Sequence, residues 1–285
     1  MTSGNKVGIV TVTHNSSGIM RDFLEALLED SAPGVEVVVV DSGSADVAQL
    51  REETAWAKVP LVVTGQNIGY GNGSNLGARS IDADWIAFVN PDVKVAATDL
   101  LALARIASET GVGCIGPLIL GPDGRPRPVA SNGIAPPWRR RRTLPDSPDA
   151  LQFVRSLSGS CMVISREAFE EVGGFDPAYF MFCEEIDLQE RLWERGHAVA
   201  VTGEVSAFTE GGASSSTASR RWAVTERDVA HVQYVRKHYS TFEAVLDALA
   251  KCARLLVSHE YRPRSDSLRQ YVQGISRVMR IGRGQ

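Results

Sequence analysis

No apolar stretch in this sequence reaches the roughly 18 to 20 residues of a membrane span, and the polar start MTSGNK lacks the apolar core of a signal peptide. Cysteine is also sparse, and Cys114, Cys161, Cys183 and Cys252 are scattered without C-x-x-C spacing. This pattern predicts neither a zinc knuckle nor a disulfide framework, and it fits a reducing compartment. We therefore expect a cytoplasmic protein without a membrane span.

A large excess of one charge is missing as well. The formal net charge is -4, so the overall charge gives no indication of a nucleic-acid partner. The hydrophobic share of 44% and the charged share of 22% are typical of a globular protein, and 285 residues suffice for one α/β domain with an appendage. Charge is nevertheless uneven, because the segment from Arg236 onward is rich in Arg and Lys.

Short β-branched runs alternate with segments of helical periodicity from residue 7 to residue 115. The runs VGIVTVT at 7–13 and VEVVVV at 35–40 predict buried parallel strands, and IMRDFLEALL at 19–28 predicts a helix between them. This alternation predicts a mostly parallel sheet with crossover helices, in which ligands bind at the carboxyl ends of the strands. The polar residues at those ends are His14, Asn15, Asp41, Asn67 and Asn90-Pro91-Asp92.

The second half of the chain has a different composition. Residues 121–150 are rich in Pro, Gly and Arg, including Arg139 to Arg142, and predict a long mobile loop. SLSGSCMVIS at 156–165 predicts a strand, and REAFEEVGGF at 166–175 predicts a short helix closed by glycines. FMFCEEIDLQERLWERG at 180–196 predicts an amphipathic helix, and further helices follow from residue 220 to residue 257.

Three groups of residues are candidates for chemistry, and each also has a structural interpretation. Asp92 follows a proline that ends a strand, so it is either a turn former or a carboxylate directed away from the sheet. Asp41 precedes Ser-Gly-Ser, which favours a helix cap and a contact with a nucleobase or ribose equally. The acids Glu184, Glu185 and Asp187 either suit a helix N-terminus or form a general base, with Arg191 paired to Asp187.

The segment GQNIGYGNGSNLGAR at 65–79 is dense in glycine and asparagine. Its glycines allow a backbone to approach a ligand closely. It lacks the dinucleotide fingerprint G-x-G-x-x-G because Ser74 occupies the last glycine position, which argues against an oxidoreductase of the Rossmann type.

The motifs VTVTHNS, VVVVDSGSAD, NIGYGNGSNLG, FVNPDV, LSGSCMVISREAFEEVGGFD and YFMFCEEIDLQERL follow one another in this order. Together, over roughly residues 5 to 240, they resemble family 2 glycosyltransferases of the GT-A fold, and bacterial rhamnosyltransferases of cell-wall and polysaccharide assembly in particular. The resemblance implies an α/β fold with a mixed, mostly parallel sheet flanked by helices. It places a GT-A domain at residues 1–240 and a basic helical extension at residues 241–285.

The resemblance also implies roles for residues of this chain. Glu185 is the base, with Glu184 and Asp187 beside it, although the family usually has Glu-Asp in place of Glu184-Glu185. Asp92 holds the donor diphosphate and a divalent metal, Mg²⁺ or Mn²⁺. The family tends to have a metal-binding His where this chain has Thr209, so either Glu210 replaces it or the metal is bound weakly or not at all. The resemblance implies that Asp41 contacts the base of the donor. The full set of donor-binding residues that we predict is Thr13, Asn15, Asp41, Asn67, Gly69, Asn75, Asn90 and Asp92.

We therefore expect an inverting glycosyltransferase that moves a sugar, such as L-rhamnose from dTDP-rhamnose, to a hydroxyl of a glycan, a lipid-linked or a small-molecule acceptor. Two alternatives stay open: a nucleotidyltransferase, and a non-catalytic sugar- or lipid-binding module on the same fold. The basic segment from Arg254 to Arg280, with apolar partners such as Leu255, Tyr271 and Val278, predicts either a peripheral contact with the inner face of a membrane or a homodimer.

Overall fold

A computed structural model describes residues 6–30, 32–128, 130–131, 133–136, 144, 151–210, 217–257 and 264–280. The strands, in chain order, are β1 (Val7–Thr13), β2 (Val35–Asp41), β3 (Leu61–Val63), β4 (Trp85–Val89), β5 (Val93–Lys94), β6 (Cys114–Leu120), β7 (Ala130–Ser131), β8 (Leu151–Phe153), β9 (Ser156–Leu157), β10 (Cys161–Ser165) and β11 (Val199–Thr209). The helices are α1 (Ser17–Leu27), α2 (Val47–Ala57), α3 (Tyr70–Arg79), α4 (Ala97–Thr110), α5 (Arg166–Glu171), α6 (Glu184–Glu194), α7 (Thr217–His238), α8 (Thr241–Val257) and α9 (Arg264–Arg280).

The chain divides into two compact units. The first contains the strands and the helices α1 to α5, together with α6 from Glu185 onward. The second contains α7, α8 and α9, together with residues 134–136 and 181–184. The helical segment after residue 240 is therefore present, and the preceding helix α7 belongs to the same unit.

In the first unit one mixed sheet has the strand order β3-β2-β1-β4-β10-β6-β11-β5, and β8 pairs with β11. Strand β1 is parallel to both β2 and β4, and β2 is parallel to β3, as the run of alternating strands and helices predicted. Strand β10 is antiparallel to its neighbours β4 and β6. The predicted mixed, mostly parallel sheet flanked by helices is confirmed.

Both faces of this sheet are covered, because its central strands carry apolar residues on alternate sides. Ile9 of β1 lies in a core with Phe23 of α1 and Leu100 of α4. Val10, its neighbour in sequence, lies in a second core with Phe169 of α5 and Leu188 of α6. Continuous apolar strands of this kind are expected where helices pack on both faces.

Helix α3 begins at Tyr70, within the glycine-rich segment. Two of its glycines are required by packing: a Cβ added to Gly73 would lie 2.8 Å from Cγ1 of Val12, and one added to Gly77 would lie 2.4 Å from Cγ1 of Val10. Both glycines therefore bring α3 close to β1, and they do not form a ligand-facing loop as we had expected.

The predicted mobile loop at 121–150 lies largely outside the described residues, and so does its cluster Arg139 to Arg142. At its start, residues 121–125 form a turn in which the amide of Gly121 donates to the carbonyl of Arg125. A bridge between Leu120 and Pro126 extends this turn.

In the second unit, α7, α8 and α9 share an apolar core, which includes Val232, Ala244 and Tyr271. Tyr271 and Val278, which the sequence offered as apolar partners at a membrane, are almost fully buried in this core. Within the described part of the chain, no helix has both the length and the apolar character needed to cross a bilayer.

Candidate active site

The loops that follow β1 and β2 are joined by hydrogen bonds from their own polar side chains. The backbone N–H of Asn15 donates to Oγ of Ser44 at 2.9 Å, and Oδ1 of Asn15 accepts from the amide of Ala45 at 2.8 Å. Asn15 has φ of 54°, in the left-handed region, which asparagine tolerates better than most residues. Asn15 thus fixes the chain where β1 and β2 end side by side.

Asp41 ends β2 and is 1% exposed. Its Oδ1 accepts from the backbone N–H of Ser44 at 3.0 Å, and its carbonyl accepts from Oγ1 of Thr64 at 2.9 Å. Thr13, its partner across the parallel pair, is 2% exposed, and no described group hydrogen-bonds to its hydroxyl. A fixed carboxylate and a buried hydroxyl therefore lie together at the carboxyl edge of the sheet.

Asn67 and Gly69 extend this edge toward the start of α3. Oδ1 of Asn67 accepts from Oγ of Ser42 at 3.2 Å and from the amide of Gly69 at 3.0 Å. Gly69 has φ of 82°, and a Cβ built on it would lie 2.0 Å from the carbonyl oxygen of Phe180. Both its conformation and this close approach require glycine.

Asn75 lies further along α3 and has a local role. Its Nδ2 donates to the carbonyl of Phe175 at 2.8 Å, and its Oδ1 accepts from the amide of the same residue at 2.9 Å. The side chain thereby anchors the turn after α5 to α3.

Asn90, Pro91 and Asp92 form the turn after β4. The amide of Val93 donates to the carbonyl of Asn90 at 3.0 Å, a bond between first and fourth residues that suits proline at the second position. The proline thus ends β4, and the chain re-enters the same sheet directly after Asp92 as the edge strand β5. Burial raises the pKa of the Asp92 carboxyl above its ordinary value, against an opposing backbone hydrogen bond. A partly buried carboxylate of this kind is stabilised by a nearby cation.

A short turn at residues 158–160 connects this edge to α6. The hydroxyl of Tyr70, next to Gly69, donates to the carbonyl of Gly159 at 2.8 Å. The amide of Asn90 donates to the carbonyl of Ser160 at 2.8 Å. A Cβ placed on Gly159 would lie 3.4 Å from Cβ of Glu185, so the start of α6 lies beside this turn. Glu185 and the Asn90–Asp92 turn thus flank the same three residues.

Two contacts that the sequence did not reveal hold α6 in this position. Arg155 and Glu190 form a buried double ion pair with distances of 3.0 and 2.5 Å. The amide of Gln189 bonds to both the N–H and the C=O of Leu157, at 2.5 and 3.0 Å. These partners are more than thirty positions apart in sequence, so no local pattern signals them.

The acids at the start of α6 have different environments. Glu184 is 5% exposed and Glu185 is partly exposed. Asp187 is fully buried and accepts from Nε of Arg191 at 2.9 Å, which confirms the predicted i, i+4 pair. Just before α6, Phe182 and Cys183 have φ of 68° and 63°, two successive residues in a strained region.

The residues proposed for a metal lie at neighbouring positions. Thr209 pairs with Val93, and its hydroxyl donates to the carbonyl of Asp92 at 3.1 Å. Glu210, the next residue, is 66% exposed at its side chain and lies 3.7 Å from Nζ of Lys94. Within the described ranges, no three His, Cys, Asp or Glu side chains are grouped closely enough to hold a metal ion. Asp92 is therefore the one carboxylate of this turn that fits a shared metal–diphosphate contact.

The comparisons with known proteins agree on one family. The model of glycosyl transferase family 2 matches residues 8–173. An N-acetylglucosaminyl-diphospho-decaprenol L-rhamnosyltransferase of Mycobacterium tuberculosis is 34% identical over 220 residues, covering 66% of this chain and 70% of the relative. Rhamnosyltransferase WbbL of Escherichia coli is 27% identical over 205 residues, covering 65% and 76% respectively.

Solved glycosyltransferases have the same fold. Mannosyltransferase PcManGT from Pyrobaculum calidifontis, in complex with GDP-Man and Mn²⁺, superposes with a TM-score of 0.60 at 15% identity, over 99% of this chain and 89% of its own. Residues 1–349 of TarS from S. aureus, in complex with UDP-GlcNAc, give a TM-score of 0.62 at 16% identity, over 96% and 82%. The chain belongs to glycosyl transferase family 2, whose members transfer a sugar from an activated donor.

Proposed function

We propose that this glycosyltransferase moves L-rhamnose from a dTDP-linked donor to a hydroxyl of a lipid-linked glycan, with inversion at the anomeric carbon. The sugar is supported by two relatives whose names specify rhamnose. The acceptor class is supported by the name of the first relative, which gives N-acetylglucosaminyl-diphospho-decaprenol, a lipid-linked sugar, as the acceptor. The enzyme would act in the cytoplasm, at the inner face of the membrane that holds such a lipid.

The observation that carries the mechanism is the turn at 158–160, which has Glu185 on one side and the turn bearing Asp92 on the other. In a single displacement, Glu185 takes the proton of the acceptor hydroxyl while the hydroxyl oxygen of the acceptor attacks the anomeric carbon. The bond from that carbon to the diphosphate breaks on the opposite face, and the nucleoside diphosphate leaves. One base and one electrophile suffice, so no covalent nucleophile is needed.

The donor nucleotide would lie along the carboxyl edge of the sheet, with Asp41 and Thr13 facing the base or ribose and Asn15, Asn67 and Gly69 shaping the loops around it. Asn75 contributes by fixing the turn after α5. Asp187 acts as a positioning residue, because Arg191 already neutralises it inside the protein.

We assign the diphosphate end of the donor to Asp92. Its desolvated carboxyl is the feature that fits a cation. A divalent metal, when bound there, supplies positive charge to the departing diphosphate. Glu210 is a weaker candidate because it is exposed and close to Lys94.

The substitution Glu185→Gln tests the mechanism, since it keeps the side-chain shape and removes the base. We expect turnover to fall by about 10² to 10⁴, while thermal stabilisation by dTDP is retained. Glu194→Gln, the same change at an exposed position at the other end of α6, is the matched control and should leave turnover unchanged.

Two results would contradict this assignment. Loss of turnover in Glu184→Gln but not in Glu185→Gln would make Glu184 the base. A wild-type protein that binds dTDP but neither transfers the sugar nor hydrolyses the donor would favour the non-catalytic binding module.

A further inference from the structure

Helix α8 has most of its large apolar side chains on the outside. Phe242 is 71% exposed, Leu249 is 63% exposed and Val257 is 75% exposed. With Val245, Leu246 and Leu256 they recur at helical spacing, so they form one stripe along the helix. At 1.5 Å per residue the 17 residues of α8 make this stripe about 25 Å long.

The opposite side of α8, which faces the other helices of its unit, is mostly small or polar, and Leu255 is its one large apolar residue. Ala244 and Ala248 are buried, and so are both acids of the helix, Glu243 at 5% and Asp247 at 7% exposure. Asp247 accepts from Nζ of Lys251 at 2.8 Å and lies 3.0 Å from Nδ1 of His231. The amphipathic helix is therefore inverted relative to an ordinary surface helix, which buries its large apolar side.

The exposed charges of α8 and α9 are mostly positive. In α8, all of whose residues are described, the two acids are turned inward, and the exposed charged residue is Arg254. Arg269, Arg277 and Arg280 of α9 are also exposed, against one exposed acid of that helix, Asp266. An apolar stripe on a unit whose exposed charges are mostly basic matches the headgroup region of an anionic bilayer, where apolar side chains enter the acyl boundary and basic ones meet lipid phosphates.

We propose that the exposed apolar face of α8, defined by Phe242, Val245, Leu246, Leu249, Leu256 and Val257, binds the surface of an anionic membrane, with the helix lying in the plane of the interface. The inference rests on the proposed function, because a lipid-linked acceptor is confined to that surface. It differs from attachment through a basic tail: Arg254 and Arg277 pair with Asp228 and Glu226, each at 2.8 Å, and much of their charge is neutralised locally.

Co-sedimentation with vesicles of phosphatidylglycerol and phosphatidylcholine tests the proposal, with neither donor nor acceptor present. We expect binding that weakens when salt is raised or phosphatidylglycerol is omitted. Leu246→Glu and Leu249→Glu should each lower the vesicle partition coefficient by about tenfold or more, because a charge replaces an inserted apolar group. Leu28→Glu, at a leucine of similar exposure to Leu246 (40% against 38%), is the matched control and should bind as the wild type does.

Far-UV circular dichroism establishes that each variant is folded. Equal vesicle binding by wild type and both α8 variants would refute the proposal. So would sedimentation velocity showing a concentration-dependent dimer that Leu249→Glu dissociates, together with no vesicle binding, since the occupant would then be a second copy of the chain.

The proposed function fails separately. If the protein binds vesicles in a way that depends on Leu249 and yet fails to transfer rhamnose to a lipid-linked acceptor, that result would support the membrane-binding face of α8. It would also refute the proposed acceptor. The Leu249→Glu variant should also transfer rhamnose to a short-chain, water-soluble acceptor at the wild-type rate. A loss of that activity would place α8 in catalysis and contradict a purely docking role.

Discussion

Arg191→Met is the substitution whose effect follows most directly from the interior of the sheet-containing unit. Asp187 has no exposed side-chain surface, and Nε and the second terminal nitrogen of Arg191 lie 2.9 and 2.8 Å from its Oδ2. Removing one partner of a buried ion pair leaves an uncompensated charge and typically costs about 3 to 5 kcal/mol. The guanidinium also donates to the carbonyl of Val172, a bond worth about 1 kcal/mol.

A loss of about 4 to 6 kcal/mol is comparable with the whole stability of an average domain, about 5 to 15 kcal/mol. Urea denaturation followed by circular dichroism measures it. Arg195→Met is the matched control: it lies four residues along, its pair with Glu171 is at the surface, and its loss should change the free energy of unfolding by less than about 1 kcal/mol. Similar stability of Arg191→Met and the wild type would refute the reasoning.

The double variant Asp187→Asn/Arg191→Gln separates a structural from a catalytic Asp187. Neither residue of this pair is then charged, and two amides at i and i+4 can hydrogen-bond, so we expect most of the stability to return. Turnover should return with it if Asp187 only positions α6. A stable but inactive double variant would instead make Asp187 catalytic.

Two other changes give distinct results. Because burial raises the pKa of Asp92, the folded wild type loses stability as pH rises through that pKa. Asp92→Asn should therefore be at least as stable as the wild type at pH 7 and should lose this advantage below about pH 4. It should also bind the donor more weakly, and melting curves with and without dTDP measure both effects. Greater stability of the wild type at pH 7 would contradict this. Gly69→Ala should lower the free energy of unfolding, measured in urea, by about 1 to 3 kcal/mol. The loss should exceed that of Gly65→Ala, because both glycines have positive φ but only Gly69 faces the carbonyl of Phe180. Equal effects would exclude the close approach as a cause.

The sequence by itself determined the elements whose patterns are local. Continuous β-branched runs identified β1 and β2, because strands covered on both faces need apolar residues throughout. Proline before Asp92 identified the end of β4, since it cannot continue a ladder. The pair of Asp187 and Arg191 was predictable because residues four apart meet on a helix.

The tertiary structure decided what depends on contacts between distant residues. Strand β10 is antiparallel to its neighbours in the sheet. Arg155 pairs with Glu190, which is 35 positions away in the sequence. Neither arrangement can be predicted from the periodicity of a local segment. Periodicity likewise shows that α8 has an apolar and a polar side, but it does not say which side faces the protein. That choice was made by packing against α7 and α9: Ala244, Ala248 and Leu255 lie in the shared apolar core, and Asp247 meets His231 of α7. It leaves Phe242 and Leu249 outside.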